Sequence, residues 1–557
     1  MTNSAAGFER STQRLTPTGD AALRRIFALL TLATAGMAAV LSLLPPAGHD
    51  QLWFLLMAQR WLGGAQLYGS AAFDSNPPAI VWLSALPILL GHALHLSTPF
   101  AAKLLVVLAE SSASLLSYRF LRGAMPTGLD ATGQRRGYVQ AALLFAAMVL
   151  FYVIPARDFG QRDQILSFLV LPYLLAAAVD PLRRRITLAR CTAGVLAAVG
   201  ICMKPHQAMV IVAVELALLL SPSLTNRRPF PTRLRRLLRP EPVIVVALGL
   251  AFLASVHRLT PLYFTLALPV LRDTYWAIGH LSLGALAWQA IELCVLAAIC
   301  LAVFVLRRPA SPAIAVLLVA GGAATLAYLL QGTGWYYQQL PALSFFGAAL
   351  TLQLLDLLEQ VPFAPPRWAV PATAALGLLA VALTAHFTGY PLTRQRAYAA
   401  IFADPALPDP GFFTTLPPGT PVAIFTTSVE DSMMPVERYH LEWAQRTNNL
   451  WTLPAILRSE SGPPPRRILA PARVTQLDAM QHRWMVEDLT HWQPELVLVQ
   501  RCQDPAVVCQ ELEDRHDDLL AWFRRDPAFA SLWGRYAFCG SRGDFDAYTL
   551  RPVRPRP

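Results

Sequence analysis

Two short polar stretches carry aspartate and arginine in a pattern that suits acid–base chemistry on an anionic substrate. Asp50 lies at the head of residues 49–78, and Asp158, Arg162 and Asp163 lie together further along the chain. An ionised carboxylate can accept a proton from a hydroxyl or amine as a general base, and arginine binds phosphate oxygens bidentately. Simpler roles are also open. Asp50 is well placed to be a helix N-cap, and the later acids could pair with arginine at the start of a helix.

Lys204 is a second candidate for contact with phosphate, because this chain otherwise uses arginine. Lys103 and Lys204 are its two lysines among 46 basic residues. A lysine ammonium is a compact point charge, which suits phosphate binding. His206 either assists Lys204 or caps a helix. Pro205, between them, predicts that one helix ends here and another begins.

Three further residues could contact a ligand at the rim of such a site. Asn76 precedes two prolines at the end of residues 49–78, where it either positions a ligand or ends a surface helix. Trp335 and Tyr336 belong to an aromatic stretch at 332–339. They could stack on a sugar or contact a phosphate, or they could form an interfacial aromatic belt.

These side chains must be positioned by helices that cross a membrane. The chain has 557 residues, of which 55% are hydrophobic and 15% charged, and the apolar residues fall in long runs. About 20 apolar residues span a bilayer core, and only helices or closed barrels can cross it. We predict a polytopic α-helical membrane protein with about 11–13 transmembrane helices. Residues 1–23 are predicted to be a cytoplasmic tail, with Arg24 and Arg25 holding the first helix end inside.

Arginine-rich segments at 119–136, 183–185 and 227–239 predict cytoplasmic loops. Several polar loops then share the outer face, the first of them lying on the bilayer surface. These loops are 47–78, 156–164, 204–206, 258–282 and 332–339. Residues 79–121 conflict with this topology, because they must cross an odd number of times and yet contain two apolar runs. Either one run is a surface or re-entrant helix, or the basic loop after it breaks the charge rule.

The composition changes at about residue 390, where long apolar runs stop and charged residues become more frequent. Short β-like runs follow at 422–425, 495–499 and 547–550. They alternate with helical stretches near 438–449, 476–488 and 509–523. This alternation predicts a small α/β domain from 390 to 557, outside the cytoplasm. The transmembrane domain before it is predicted to span 24–389.

The seven cysteines show no spacing typical of a metal site. Four lie in apolar helices, where cysteine is usually a small buried hydrophobe. Cys502, Cys509 and Cys539 lie in the C-terminal part. If that part is outside the cytoplasm, Cys502 and Cys509 are the candidates for one disulfide, and an odd cysteine count leaves one thiol free.

Charge and motif content exclude several classes of function. The net charge is +11, but residues 390–557 hold 18 Arg against 20 Asp and Glu, so the positive excess lies in short membrane loops rather than on a nucleic-acid surface. The sequence contains no GxxxxGK[ST], no GxGxxG after a strand, no HExxH and no paired CxxC. These absences disfavour ATP-driven pumps, dinucleotide enzymes and metalloproteases. We therefore expect no cofactor and no nucleic-acid partner, and a divalent metal stays open, since the sequence shows no convincing set of ligands for it.

The order of the motifs resembles the GT-C class of integral-membrane glycosyltransferases. An acid opens the first outer loop, Asn76-Pro77-Pro78 closes it, and a second acidic loop follows. A Lys-Pro turn, an aromatic outer loop and a C-terminal soluble domain come next. Within the class the sequence is most similar to bacterial proteins with a glycosyltransferase family 39 domain (protein O-mannosyltransferase-like, RgtA/B/C/D-like), which include the lipid A aminoarabinose transferases. The resemblance covers residues 20–390.

The resemblance implies a role for each matching residue. Such enzymes take a sugar from a polyprenyl-phosphate donor on the outer membrane face and typically invert the anomeric centre. The proposed base of the first loop corresponds to Asp50. The acid of the later loop corresponds to Asp158, with Asp163 as the alternate. Lys204 and Arg162 would contact the donor phosphate.

Two positions depart from the pattern of the family. Gln51 follows Asp50 where many members carry a second acid, and Ala79 follows the two prolines where many relatives have leucine. The first difference removes one candidate ligand for a sugar or a metal.

We therefore expect a membrane glycosyltransferase of the bacterial inner membrane, with its C-terminal domain in the periplasm. Its partners would be a polyprenyl-phosphate-linked sugar, membrane lipids, and an envelope glycan, lipid or protein as acceptor. A lipid or solute transporter is one alternative, which would place charges at mid-membrane and show inverted repeats. A non-catalytic membrane protein that binds a glycan or a partner is the other.

Overall fold

The computed structural model describes residues 29, 32, 33, 35–124, 142–155, 158–179, 185–225, 228–279, 281–306, 311–359, 403, 407–460 and 469–551. Its N-terminal part is helical. The helices are α1 (35–43), α2 (His49–Leu62), α3 (Pro78–Leu94), α4 (Thr98–Ala124), α5 (Ala142–Val153), α6 (Arg162–Val179), α7 (Leu188–Met203), α8 (Ala208–Leu220), α9 (Phe230–Leu234), α10 (Pro240–Leu259), α11 (Leu268–Thr274), α12 (Leu283–Gln289), α13 (Ile291–Leu306), α14 (Pro312–Gln331) and α15 (Leu340–Glu359).

Five of the described helices are long and apolar enough to cross a membrane: α4, α6, α10, α14 and α15. A sixth span results if α12 and α13, which meet at an angle of 82°, count as one broken helix. The chain is therefore a multi-pass membrane protein, as predicted from its composition. The tail at 1–23 and the apolar run at 368–388 lie outside the described residues, so the count of 11–13 helices stays a prediction.

Antiparallel helices bring the polar turns to one end of the membrane domain. Helix α6 begins at Arg162, and α7 ends beside Lys204. The Lys204-Pro205-His206 turn separates α7 from α8 through a short 3₁₀ turn at Pro205–Gln207, as predicted. We call this end, where Asp50, Arg162 and Lys204 lie, the site end.

Helix α3 does not fit a simple crossing, because the chain is at the site end both before and after it. Asn76, two residues before α3, contacts Arg162 at the site end. After α3, the Lys103 ammonium donates to the carbonyls of Ser42 and Pro45 at 3.1 and 3.0 Å, where α1 ends. These contacts favour the first solution to the conflict at 79–121: α3 stays at the site end, and α4 crosses.

Buried ion pairs join the helices at the other end of the domain. Glu215 of α8 accepts from Arg236 and Arg239, and it also accepts from the Tyr173 hydroxyl at 2.8 Å. Arg190 of α7 pairs with Glu241 of α10 at 2.6 Å. Because these groups are buried and paired, they join α6 to α8 and α7 to α10.

The C-terminal part is an α/β domain with one mixed sheet. Its elements are β1 (Pro421–Phe425), α16 (Glu430–Tyr439), β2 (Glu442–Trp443), α17 (Leu453–Glu460), α18 (Pro471–Trp492), β3 (Leu496–Gln500), α19 (Leu519–Phe523), α20 (Pro527–Trp533), β4 (Tyr536–Arg542) and β5 (Phe545–Leu550). The strand order is β2-β1-β3-β5-β4. Strand β1 is parallel to β2 and β3, whereas β5 is antiparallel to β3 and β4. The predicted fold class is thus confirmed for both parts of the chain.

The predicted elements of this domain are mostly correct. The three strands and the helix near 476–488 are present, and a disulfide joins Cys502 to Cys509. The helix predicted near 438–449 is wrong, because the chain turns at His440 in a left-handed conformation and then pairs with β1 as β2. The helix predicted over 509–523 is reduced to α19. The boundary at 390 lies outside the described residues.

The C-terminal domain packs directly on residues 49–78. Arg60 of α2 donates to the carbonyls of Gln445 and Trp443, and the Phe73 amide donates to the Arg446 carbonyl at 2.6 Å. Trp53, inside this stretch, is fully buried. The stretch is therefore a helix and a turn that the C-terminal domain covers, and its position on the bilayer surface stays a prediction.

Candidate active site

A cavity of about 670 Å³ lies between the site end of the membrane domain and the C-terminal domain. Its wall on the membrane side contains most of the residues singled out from the sequence. These residues are Asp50, Asn76, Asp158, Arg162, Lys204, His206, Trp335 and Tyr336. These side chains, which come from four of the five predicted polar loops, therefore meet in one space, as their predicted common face requires.

Asp50 lies in the first turn of α2 and is not its cap. The N-cap residue is Gly48, and no side chain caps the helix. The Asp50 carboxylate instead lies 3.3 Å from the Arg162 guanidinium and 3.6 Å from His49 Nε2. The geometry thus disfavours the capping role, and the carboxylate lines the cavity.

The charges around Asp50 keep its carboxylate ionised. Burial on its own would raise the pKa of Asp50, but the positive groups of His49, Arg162 and Lys204 outweigh burial and lower the pKa below its ordinary value. An ionised carboxylate beside a cavity is in the protonation state that a general base needs.

Arg162 is held in place from several sides. Its guanidinium donates to the Asn76 side-chain oxygen and lies 4.7 Å from the centre of the Phe54 ring. Asn76 is fixed in turn, because its backbone and side-chain amides both donate to Asp74, at 2.6 Å each. The Asp74 carboxylate also accepts from the Trp53 indole at 2.7 Å. The turn before Pro77 therefore positions Arg162.

Lys204 forms an ion pair with Asp163 at 2.8 Å. Asp163 is fully buried and lies behind Lys204, so it does not line the cavity. Asp163 was predicted to contact the substrate at the cavity surface. The structure instead places it behind that surface, as the ion-pair partner of Lys204. An ammonium has three N–H donors, and Asp163 uses one of them. Lys204 also lies 5.3 Å from the centre of the Tyr337 ring.

Gln51 connects the two acidic segments of the site. Its side-chain amide donates to the Phe159 carbonyl at 2.7 Å. The amide packs against Gly160, where a Cβ atom would overlap it. A carboxylate at position 51 could not donate this hydrogen bond. The departure from the family pattern therefore has a structural role of its own in this chain.

The aromatic segment forms one rim of the cavity. The Tyr336 hydroxyl donates to the Ile154 carbonyl at 2.6 Å, and the ring is 42% exposed. Trp335 stacks on Tyr337 with ring centres 5.8 Å apart. These rings face the same space as Asp158 and His206, which both line it. The placement agrees with a ligand-contacting rim and does not require an aromatic belt.

The opposite wall of the cavity was not foreseen from the sequence. It consists of residues from the C-terminal domain, including Thr427, Glu430, Asn448, Asn449 and Glu511. No short motif marks these residues. The nearest signal is the run from Asn448 to Trp451, where two amides and an indole follow a short strand.

No family model matches the sequence, and no curated protein matches it either. Three of the solved structures that align with this chain cover at least 95% of it. ArnT from Cupriavidus metallidurans bound to undecaprenyl phosphate aligns over 96% of this chain and 98% of that chain, with 15% identity and a TM-score of 0.47. The archaeal oligosaccharyltransferase AglB from Archaeoglobus fulgidus, in complex with an inhibitory peptide and a dolichol-phosphate, aligns over 95% and 75%, with 13% identity and a TM-score of 0.43.

The third structure is the arabinofuranosyltransferase AftD from Mycobacteria, which aligns over 96% of this chain and 42% of its own, with 16% identity and a TM-score of 0.42. At these identities and TM-scores the likeness is partial. It identifies no donor, acceptor or catalytic residue of this chain.

Proposed function

We propose that this protein is a membrane glycosyltransferase that moves a sugar from a polyprenyl-phosphate donor to an acceptor outside the cytoplasm. One observation carries the proposal: an ionised carboxylate, Asp50, shares a cavity with Arg162 and Lys204 at the end of a bundle of apolar helices. The cavity therefore combines a base with cations that suit a phosphate, at one end of helices that are long and apolar enough to cross a membrane. The order of motifs along the sequence resembles the same class.

The proposed reaction needs one base and one anion-stabilising group. The Asp50 carboxylate takes the proton of an acceptor hydroxyl or amine, and the freed electron pair forms a bond to the anomeric carbon of the sugar. The bond between that carbon and the phosphate oxygen breaks, and its electron pair leaves with the lipid phosphate. Lys204 and Arg162 stabilise the negative charge that develops on that oxygen. Direct attack of this kind inverts the anomeric centre.

The arginine distribution supports an extracytoplasmic position for the cavity. Arg233, Arg236 and Arg239 lie at the end of the domain away from the site, near the start of α10. Because basic loops mark the cytoplasmic side, the site end and the C-terminal domain would face outward. In a bacterium we expect the protein in the inner membrane, with its C-terminal domain in the periplasm.

Loss of the base tests the proposal. A strain that lacks the protein is expected to accumulate a polyprenyl-phosphate sugar and to lose a sugar from an envelope lipid, glycan or protein. Wild-type protein should reverse both changes, and Asp50→Asn should reverse neither while it still inserts into the membrane. Lipid and glycan mass spectrometry measures both pools.

Glu495→Gln is the matched control, because Glu495 is an exposed carboxylate of the C-terminal domain outside the cavity. It should restore the wild-type profile. Full complementation by Asp50→Asn would remove Asp50 from the mechanism. Solute uptake by reconstituted vesicles, without any glycosylated product, would favour a transporter instead.

A further inference from the structure

The two walls of the cavity differ in where their cations lie. The membrane side holds Arg162, Lys204 and Arg272, together with the acids Asp50, Asp74 and Asp158. Of the described residues that the C-terminal domain contributes, none is lysine or arginine, and two are glutamates, Glu430 and Glu511. We call this second surface the C-terminal wall. A phosphate group would be held by the cationic side, since anions are bound by arginine, lysine or arrays of amides.

Two buried polar atoms on the C-terminal wall lack a hydrogen-bond partner among the described residues. They are Oγ1 of Thr427 and Oδ1 of Asn449, whose residues are 2% and 3% exposed. The two residues are held together, because the Asn449 side-chain amide donates to the Thr427 carbonyl. An unpaired polar atom costs free energy in a buried position. Two such atoms on one wall of a cavity are therefore candidates for hydrogen bonds to a ligand.

The chemistry of this wall points to hydroxyl groups. A side-chain amide oxygen accepts hydrogen bonds, and a threonine hydroxyl both donates and accepts them. Asn448 and the indole of Trp451 line the cavity next to this pair. Neutral amides, a hydroxyl and an aromatic side chain suit a polyhydroxyl compound with apolar ring faces.

Glu511, which lines the same wall, is compatible with an uncharged ligand. Burial and, to a smaller extent, the neighbouring Glu513 raise the pKa of Glu511 to about 8, against the lowering effect of Arg458. The Glu511 carboxyl is thus largely protonated at neutral pH and able to donate a hydrogen bond.

We propose that the C-terminal wall is the acceptor subsite and that it binds the uncharged hydroxyl groups of a saccharide through Thr427 and Asn449. This inference rests on the proposed function, and it names the class of acceptor. A saccharide on this wall would present one hydroxyl toward Asp50, while the lipid phosphate would lie against Lys204 and Arg162 on the other side.

Binding by the full-length protein in lipid nanodiscs tests the inference. One arm uses an array of defined neutral, amino-substituted and phosphorylated glycans. The other arm measures the binding of undecaprenyl phosphate by native mass spectrometry. We expect the wild-type protein to bind neutral glycans on the array. Thr427→Val should weaken this binding about tenfold through the loss of one hydrogen bond. Undecaprenyl phosphate should bind to this variant as it does to wild type.

Thr490→Val makes the same chemical change on the exposed face of α18 and should bind glycans like the wild type. Asn449→Ala provides a second variant with the same expected loss, so that a folding defect in one variant does not decide the result. Three outcomes would overturn the inference: signal confined to phosphorylated glycans, unchanged binding in both variants, or no glycan binding by a protein that still binds undecaprenyl phosphate. Failure of the wild type to bind undecaprenyl phosphate would count against the proposed function instead. Glycan binding that depends on Thr427 would in that case still show that the C-terminal wall binds a saccharide.

Discussion

At the scale of single residues, two buried ion pairs place opposite charges side by side at the cavity. Arg162 lies beside Asp50, and Lys204 lies beside Asp163. Each cation keeps donors for a further partner, because arginine has five N–H groups and lysine has three. The pairs therefore fix the geometry of the cations and still allow them to contact a phosphate.

The pH dependence of transfer should report the Asp50–Arg162 pair. A base with a lowered pKa is ionised at every pH above that value, so its contribution is lost only as the pH falls through it. In the wild type, the acidic limb of kcat/KM should lie below the ordinary aspartate pKa of 3.8. Arg162→Gln removes one of the groups that lower this pKa, so the limb should move to higher pH. Transfer rates measured across pH in detergent or nanodiscs give the comparison. Identical acidic limbs in the wild type and in Arg162→Gln would show that Arg162 does not lower the pKa of the base.

Lys204 should show two separable effects, one on stability and one on phosphate binding. Lys204→Met leaves Asp163 buried without its partner, which should destabilise the protein by about 3–5 kcal/mol. The double variant K204M/D163L removes both charges and should recover most of that loss. Both variants should bind undecaprenyl phosphate at least about tenfold more weakly than wild type. Thermal unfolding and native mass spectrometry measure the two quantities. Wild-type lipid binding by the double variant would exclude Lys204 as a phosphate ligand.

At the scale of elements, the start of α2 and the turn before α6 act as one unit. Gln51 joins them through the Phe159 carbonyl, and Gly160 has a φ of +87°, which favours glycine. The sequence identified both segments through their acids. It could not show that they touch, because the contact depends on an amide and on a glycine without a side chain.

Gly160→Ala should disturb this unit more than backbone strain alone would. A non-glycine residue in the left-handed region costs about 1–2 kcal/mol, and the new methyl group would also overlap the Gln51 amide. Gly419 is a matched control, since its φ is +82° and no atom lies within 4 Å of a Cβ built there. Both alanine variants should lose stability in thermal unfolding, but only Gly160→Ala should also lose transferase activity. Equal activity in the two variants would show that the Gln51 contact does not position Asp50.

At the scale of the whole molecule, the sequence predicted the parts better than their arrangement. Asp50, Arg162 and Lys204 could be found because long apolar runs and arginine-rich loops fix which polar turns share a face. The C-terminal wall could not be found in this way. Its approach to the membrane domain depends on contacts such as that of Arg60 with Gln445, 385 positions apart, and no periodicity or motif encodes such a pairing.

The same distance in sequence explains why the partner of residues 49–78 was not predicted. An amphipathic stretch with Trp53 and Tyr68 suits either a bilayer surface or a protein interface, and composition alone does not distinguish the two. The structure shows the protein interface, because Phe73 packs between Trp451 and Trp484 of the C-terminal domain, with ring centres 6.0 and 4.5 Å away.

Arg60 should control how firmly the C-terminal domain closes the cavity. Its guanidinium donates to the carbonyls of Ala71, Gln445 and Trp443 and lies 4.8 Å from the centre of the Trp492 ring. Burial lowers the pKa of Arg60 to about 10 despite the nearby Asp488, so the side chain is still charged at neutral pH. Arg60→Met leaves the carbonyls without their charged donor, at a cost of about 3 kcal/mol.

The loss should appear at the interface rather than throughout the protein. Hydrogen exchange at the Phe73 amide and at β2 should become faster in Arg60→Met, and transfer should slow while undecaprenyl phosphate still binds, because the cations of the membrane side are untouched. Arg483→Met is the matched control: Arg483 is 65% exposed, its ion pair with Glu487 spans 3.8 Å, and its loss should change stability by no more than about 0.5 kcal/mol. If Arg60→Met keeps full transfer with a demonstrably loosened interface, the C-terminal wall is not required for the reaction, and the acceptor must bind on the membrane side alone.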